Sequence, residues 1–174
     1  METTTIITAI AASLAALVAV ITLVIQCRQN RKNEKKSLSE KAESILEKTR
    51  TDSGIMDFMK AIDYGESWYK KGFHEGNFEK TADDALLTYN YVLELKERNL
   101  LDENGLSNFL YEIDKIVGNK DVQCYFFNLY HYSQMAKLPF KFEKLMKYGI
   151  DKKYIDKDIY NKESKNYGEK QLNF

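Results

Sequence analysis

The chain has 174 residues, and its 26 basic and 26 acidic side chains give a formal net charge of zero. This balance excludes a general nucleic-acid-binding protein, which needs a concentrated basic face. Cys27 and Cys124 are the only cysteines, and no Asn-x-Ser/Thr site occurs. A disulfide framework is therefore excluded, and the pattern is typical of a reducing compartment.

The first element is an apolar run from Ile6 to Ile25, twenty residues without an ionisable group. As a helix it would reach about 30 Å, the thickness of the hydrocarbon core of a bilayer. The run predicts a transmembrane helix over residues 6–26. A cleaved signal peptide, the alternative, would have a basic start, a shorter apolar core and a small-x-small cleavage site, none of which is present.

A basic cluster follows this run and predicts its orientation. Only Glu34 opposes the cluster, and only Glu2 is charged before the run. By the positive-inside rule residues 1–5 are extracytoplasmic and the remainder lies in the cytoplasm, which predicts a single-pass protein of the inner (cytoplasmic) membrane. Near the membrane surface, the basic side chains would attract anionic lipid headgroups. The members of the cluster are Arg28, Arg31, Lys32, Lys35 and Lys36.

A stripe of small residues lies within the run, because Ala11, Ala15 and Ala19 are four positions apart. Such a stripe lets a second helix approach closely, so these alanines are candidates for self-association. Alanine is also simply a good helix former, and no glycine pair makes the signal more specific.

Helical periodicity continues after the basic cluster, and no segment alternates as a strand would. Ser37 and Glu40 have the spacing of a capping box, which makes 27–50 a basic juxtamembrane segment with a linker helix. A second helix runs from about Ile55 to Tyr64. The sequence predicts an all-α protein, with one transmembrane helix and a compact cytoplasmic bundle of five to six helices over 51–150.

The later helices have recognisable ends. Thr81 is the predicted N-cap of a helix over 81–98, and a further helix covers 106–117. Asn119 is the predicted cap of a helix over 120–137, and a shorter helix follows Pro139 and closes at Gly149. Residues 151–174 are rich in charges and amides, so we expect a polar, partly disordered tail.

The segment 65–80 contains three glycines and four large aromatic residues, Trp68, Tyr69, Phe73 and Phe78. Aromatic residues are enriched at interface hot spots, so these four are candidates for a partner surface. The alternative is that they fold back and cap the protein's own core.

Catalytic patterns are absent from the sequence. His74 and His131 have no second histidine or cysteine at metal-ligand spacing, and Cys124 and His131 are about 10 Å apart along a helix. No phosphate-binding loop, nucleophile elbow or dinucleotide fingerprint occurs. We therefore expect no enzymatic activity, no metal and no cofactor.

Two helical stretches, 99–105 (NLLDENG) and 122–132 (VQCYFFNLYHY), follow the anchor and its basic edge. This arrangement resembles small bacterial and phage-borne membrane proteins of the DUF4760 and phage abortive-infection types. The resemblance implies an anchored helical cytoplasmic domain and a role in phage defence or phage–host interaction, with no catalytic residue.

Two functions lead after the sequence is read, and an enzyme, which would need a buried polar pocket, is a third. The first is an anchored module that binds anionic lipids and a protein partner or a second copy of itself. The alternative is an oligomerising effector or toxin that perturbs the membrane. Expression of residues 1–36 alone separates them, because only an effector of this kind would inhibit growth.

Overall fold

The computed structural model describes the backbone of residues 2–167 and the side chains of residues 18–74 and 76–167. Every regular element in this part of the chain is helical, which confirms the all-α class. Two compact units divide the chain, Met1–Glu40 and Lys41–Phe174. The α-helices are α1 (Glu2–Thr51), α2 (Ser53–Asp63), α3 (Asn77–Glu97), α4 (Glu103–Ser107), α5 (Leu110–Gly118), α6 (Lys120–Ala136) and α7 (Glu143–Asp151), and two short 3₁₀ helices are Phe73–Glu75 and Lys157–Tyr160.

The first unit contains the part of α1 up to Glu40, and the last turns of α1 belong to the second unit. The large apolar side chains between Val18 and Ile25 are 45 to 62% exposed. In the part of the chain that is described, no helix combines the length and the apolar character needed to cross a membrane. Residues 6–17 of the predicted span, including Ala11 and Ala15, lie outside the residues whose side chains are described, and Ala19 is exposed. The transmembrane helix therefore stays a prediction.

The second unit packs around α6. Eight consecutive residues of this helix, 121–128, are buried, so neighbouring segments cover it on all sides. Asn119 caps it as predicted, since its Oδ1 accepts hydrogen bonds from the amides of Asp121 at 3.0 Å and Val122 at 3.1 Å. The cap and the apolar residues of α6 explain why the helix forms here.

Two predicted helix boundaries are wrong. The helix expected from Thr81 begins at Asn77, because the extended residue Gly76 is the N-cap and the Thr81 hydroxyl bonds back to the carbonyl of Asn77. The helix expected over 106–117 is two helices, α4 and α5, and Asp102 caps α4 by accepting from the amide of Gly105 at 2.8 Å.

The C-terminal end of the bundle also differs from the expectation. Gly149 does not close α7, which continues to Asp151. Instead, Gly149 makes room for Ile155, since a Cβ at this glycine would lie 2.6 Å from the Ile155 Cδ1 atom. Within the predicted tail, Ile155, Ile159 and Tyr167 are buried in the core, so the described part of this segment packs on the bundle. Residues 168–174 of the predicted tail lie outside the described residues.

Candidate functional site

The segment 65–78 is a compact loop held from one buried carboxylate. Gly65 and Gly72 take left-handed backbone conformations with φ of 64° and 87°, which glycine adopts without strain. The Oδ2 atom of Asp121 accepts hydrogen bonds from the amides of Trp68 at 2.8 Å and Tyr69 at 3.1 Å. Asp121 is 6% exposed and lies in the first turn of α6, where the helix dipole favours a negative charge. One side chain therefore fixes the loop to the central helix.

The aromatic side chains of this loop surround Trp68. Its ring centroid lies 5.5 Å from that of Phe58, 5.4 Å from Phe73, 6.0 Å from Phe78 and 6.1 Å from Tyr125. Such separations are in the range of favourable aromatic pairs. Trp68 and Phe73 are only 6% and 5% exposed.

This burial corrects the predicted partner surface. Trp68, Tyr69 and Phe73 are buried and Phe78 is partly buried, so most of each ring packs in the core and does not form an exposed aromatic surface. Their positions match the alternative, in which the aromatic segment caps the protein's own core. The physical reason is that α2, α3 and α6 leave an apolar space, and these rings fill it.

Two buried tyrosines beneath the loop are fixed by polar partners. The Tyr69 hydroxyl accepts a hydrogen bond from Asn128 Nδ2 at 2.8 Å, and burial raises the pKa of Tyr69 to about 12. The Tyr125 hydroxyl donates to Asp83 Oδ1 at 2.7 Å, while Lys141 pairs with the other oxygen of Asp83. Burial, and then the Asp83 charge, raises the pKa of Tyr125 far above its usual range. Both hydroxyls therefore stay protonated at neutral pH and act as structural groups.

A cavity of about 660 Å³ opens beside the loop. Trp68, Phe73 and Phe78 form its apolar wall, and Lys70 and Lys71 lie on its rim. The indole Nε1 of Trp68 is buried and has no acceptor among the described residues. The segment that the sequence singled out thus contains a concave site, formed against rings that are themselves buried.

The two histidines have structural surroundings. His74 Nδ1 lies 2.8 Å from Glu79 Oε1, and His131 Nε2 lies 3.1 Å from the carbonyl oxygen of Ile159. Burial lowers the pKa of His131 below its usual value. Cys124 is buried. Among the described residues, no group of three histidine, cysteine or acidic side chains is arranged to hold a metal ion.

The basic cluster of α1 is exposed along its whole length. Its members recur every three or four residues, so they follow one face of the helix. They are Arg28, Arg31, Lys32, Lys35 and Lys36.

A second exposed group lies where α6 ends, and we call it the α6-end patch: Tyr132, Met135 and Leu138, which are spaced three residues apart along the chain. Met135 and Leu138 are 72% and 56% exposed, and Tyr132 is also exposed. Tyr160 lies against another face of α6, since its ring centroid is 5.2 Å from that of Tyr130.

Sequence reasoning missed the residues that hold the loop in place. In the sequence, Asp121 resembles any acidic residue in the first turn of a helix, and Asn128 is one amide side chain within an aromatic helix. Neither pattern indicates a contact with the loop. Their partners, 53 and 59 residues away, could not be read from local patterns.

No family model matches the chain, and the searches found neither a curated protein nor a solved structure similar to it.

Proposed function

We propose that the chain is a membrane-anchored helical interaction module, in which the start of α1 lies in the bilayer and the unit 41–174 lies in the cytoplasm. The observation that carries this proposal is the run of twenty residues, 6–25, without an ionisable group. Its large apolar residues from Val18 to Ile25 are all exposed, so this described part of the run packs against no protein core. A helix that is apolar on every side is stable when hydrocarbon surrounds it.

The basic face of α1 supports the orientation. Five positive side chains begin three residues after the run, and they lie on one side of the same helix. Each Lys or Arg near an anionic membrane surface contributes about 1 kcal/mol to its binding. Retention of this face in the cytoplasm agrees with the positive-inside rule.

The anchoring is tested by washing membranes that contain the full chain with alkaline carbonate. The wild-type chain should stay in the pellet. Val18→Arg combined with Ile21→Arg should move the chain toward the aqueous fraction, because a charged residue near the middle of a span costs about 2.5 to 3.5 kcal/mol. Leu87→Arg combined with Tyr91→Arg is the matched control, since these side chains are 42% and 48% exposed and lie outside the run. Release of the wild-type chain by the wash would refute the anchor.

The interaction surface of the module is the α6-end patch, and its partner is a second copy of the chain. Tyrosine is frequent at interface hot spots, and methionine adapts to varied surfaces. The patch is small, but two anchored copies share one membrane and meet at a high effective concentration, so a small interface is sufficient. The alanine stripe of residues 11, 15 and 19 would bring the same two copies together within the bilayer.

Cysteine crosslinking in intact membranes tests this pairing. In a symmetric dimer each patch meets the same patch of the other copy, so a Leu138→Cys chain with Cys27 and Cys124 replaced should form a crosslinked dimer. Tyr64→Cys in the same background is the control, because Tyr64 is exposed and lies at the C-terminal end of α2, outside the patch. Equal crosslinking at both positions would show random collision and would contradict the proposed surface.

A further inference from the structure

The cavity beside Trp68 has the size and the lining of a small-molecule site. Its volume of about 660 Å³ lies within the range of typical ligand pockets, roughly 300 to 1,000 Å³. Phe73 and Phe78 provide an apolar wall next to Trp68, and the Asp121 carboxylate holds the loop that forms this wall. A pocket built on a fixed loop is largely formed before a ligand arrives.

The charge on the rim selects the ligand class. Lys70 and Lys71 are exposed, and neither ammonium group has a salt bridge with a described side chain. Glu66 is the one acidic side chain among the described lining residues, so the charges described on the rim are positive on balance. An anion gains from this field, whereas a cation is repelled.

We infer that this cavity binds a small organic anion whose flat aromatic body lies against Phe73, Phe78 and Trp68 while its carboxylate faces Lys70 and Lys71. The aromatic body would add further ring contacts to the cluster around Trp68. A ligand acceptor would also give the buried indole N–H a partner, once a small shift of the ring exposes that group. The inference is independent of membrane anchoring, because every lining residue belongs to the unit 41–174.

Trp68 is the only tryptophan of the chain, so its fluorescence reports on this cavity alone. The probe is 4-iodobenzoate, a flat aromatic carboxylate whose iodine atom quenches tryptophan emission at contact distance. Titration of the full chain in neutral detergent micelles should quench Trp68 along a saturable curve. The neutral analogue 4-iodobenzyl alcohol should bind at least about tenfold more weakly, because it lacks the charge that the rim attracts.

Charge reversal provides the second comparison. Lys70→Glu combined with Lys71→Glu should raise the dissociation constant of 4-iodobenzoate at least about tenfold. Lys41→Glu combined with Lys80→Glu makes the same change in net charge at exposed positions outside the lining and should leave binding unchanged. Linear quenching without saturation would overturn the inference. Equal binding of the benzoate and the alcohol to the unmodified chain would also overturn it, and this comparison does not depend on how a variant folds.

Discussion

Replacing Asp121 by alanine should loosen the loop 65–78 and destabilise the unit that contains it. In the native protein one oxygen of this carboxylate accepts from the amides of Trp68 and Tyr69, at 2.8 and 3.1 Å. Each buried amide that loses its acceptor costs about 1 to 3 kcal/mol. The two together predict a loss of about 2 to 6 kcal/mol in the free energy of unfolding, a large fraction of the stability of an ordinary domain.

Urea unfolding of the full chain in micelles, followed through Trp68 emission, measures this loss. Asp121→Asn is the isosteric comparison: both bonds fall on Oδ2, so an amide oxygen can accept both but without the charge. Because charge-assisted bonds are roughly twice as strong as neutral ones, Asp121→Asn should show about half the loss of Asp121→Ala. Asp57→Ala, at an exposed position of α2, is the control and should be nearly neutral. If Asp121→Ala were no more harmful than Asp57→Ala, the loop would not depend on this carboxylate.

Three further changes test other parts of the account by urea unfolding. Asn90→Ala removes the side-chain oxygen that accepts hydrogen bonds from two amides at the start of α7, at 2.9 and 3.1 Å, and should lower the free energy of unfolding by about 1 to 2 kcal/mol. Asn90→Asp keeps an acceptor oxygen and should lose much less stability, so equal losses for the two variants would contradict this cap. Gly72→Ala should lower the free energy of unfolding by about 1 kcal/mol because the φ of Gly72 is 87°, whereas Gly76→Ala, at φ −109°, should lower it clearly less. A larger loss for Gly76→Ala would refute the strain argument. Burial lowers the pKa of His131, so the folded state favours the neutral ring and loses stability as the pH falls through the pKa of the unfolded state. The free energy of unfolding of His131→Gln should therefore depend less on pH between about 7 and 5, and the same pH dependence in both proteins would contradict this assignment.

The helical class and the central helix could be predicted because their signals are local. Asn119 caps α6 through amides two and three residues away, and the apolar spacing of α2 matches its buried face. A short-range hydrogen bond needs only the right residue at the right spacing. The start of α3 was missed for a similar reason, since Thr81 resembles a cap but Gly76 occupies that position.

The loop and the C-terminal segment could not be predicted in the same way. Trp68 and Phe73 have the composition of an exposed hot spot, and only the space between distant helices makes them core residues. Ile155 and Ile159 form only a weak apolar pattern with Tyr154 and Tyr160, and Tyr167 lies outside it, yet Ile155, Ile159 and Tyr167 are all buried in the completed bundle. In both segments, tertiary packing outweighs the local composition.

The topology of the chain in the membrane tests the proposed module most directly. The measurement is labelling of Tyr64→Cys by a membrane-impermeant maleimide, in a chain with Cys27→Ser and Cys124→Ala, because Tyr64 is 78% exposed and belongs to the second unit. The account predicts that intact cells leave this cysteine unlabelled and that labelling appears only after the membrane is opened, with the chain in the membrane fraction. Labelling in intact cells, or recovery of the unmodified chain in the aqueous fraction, would contradict it.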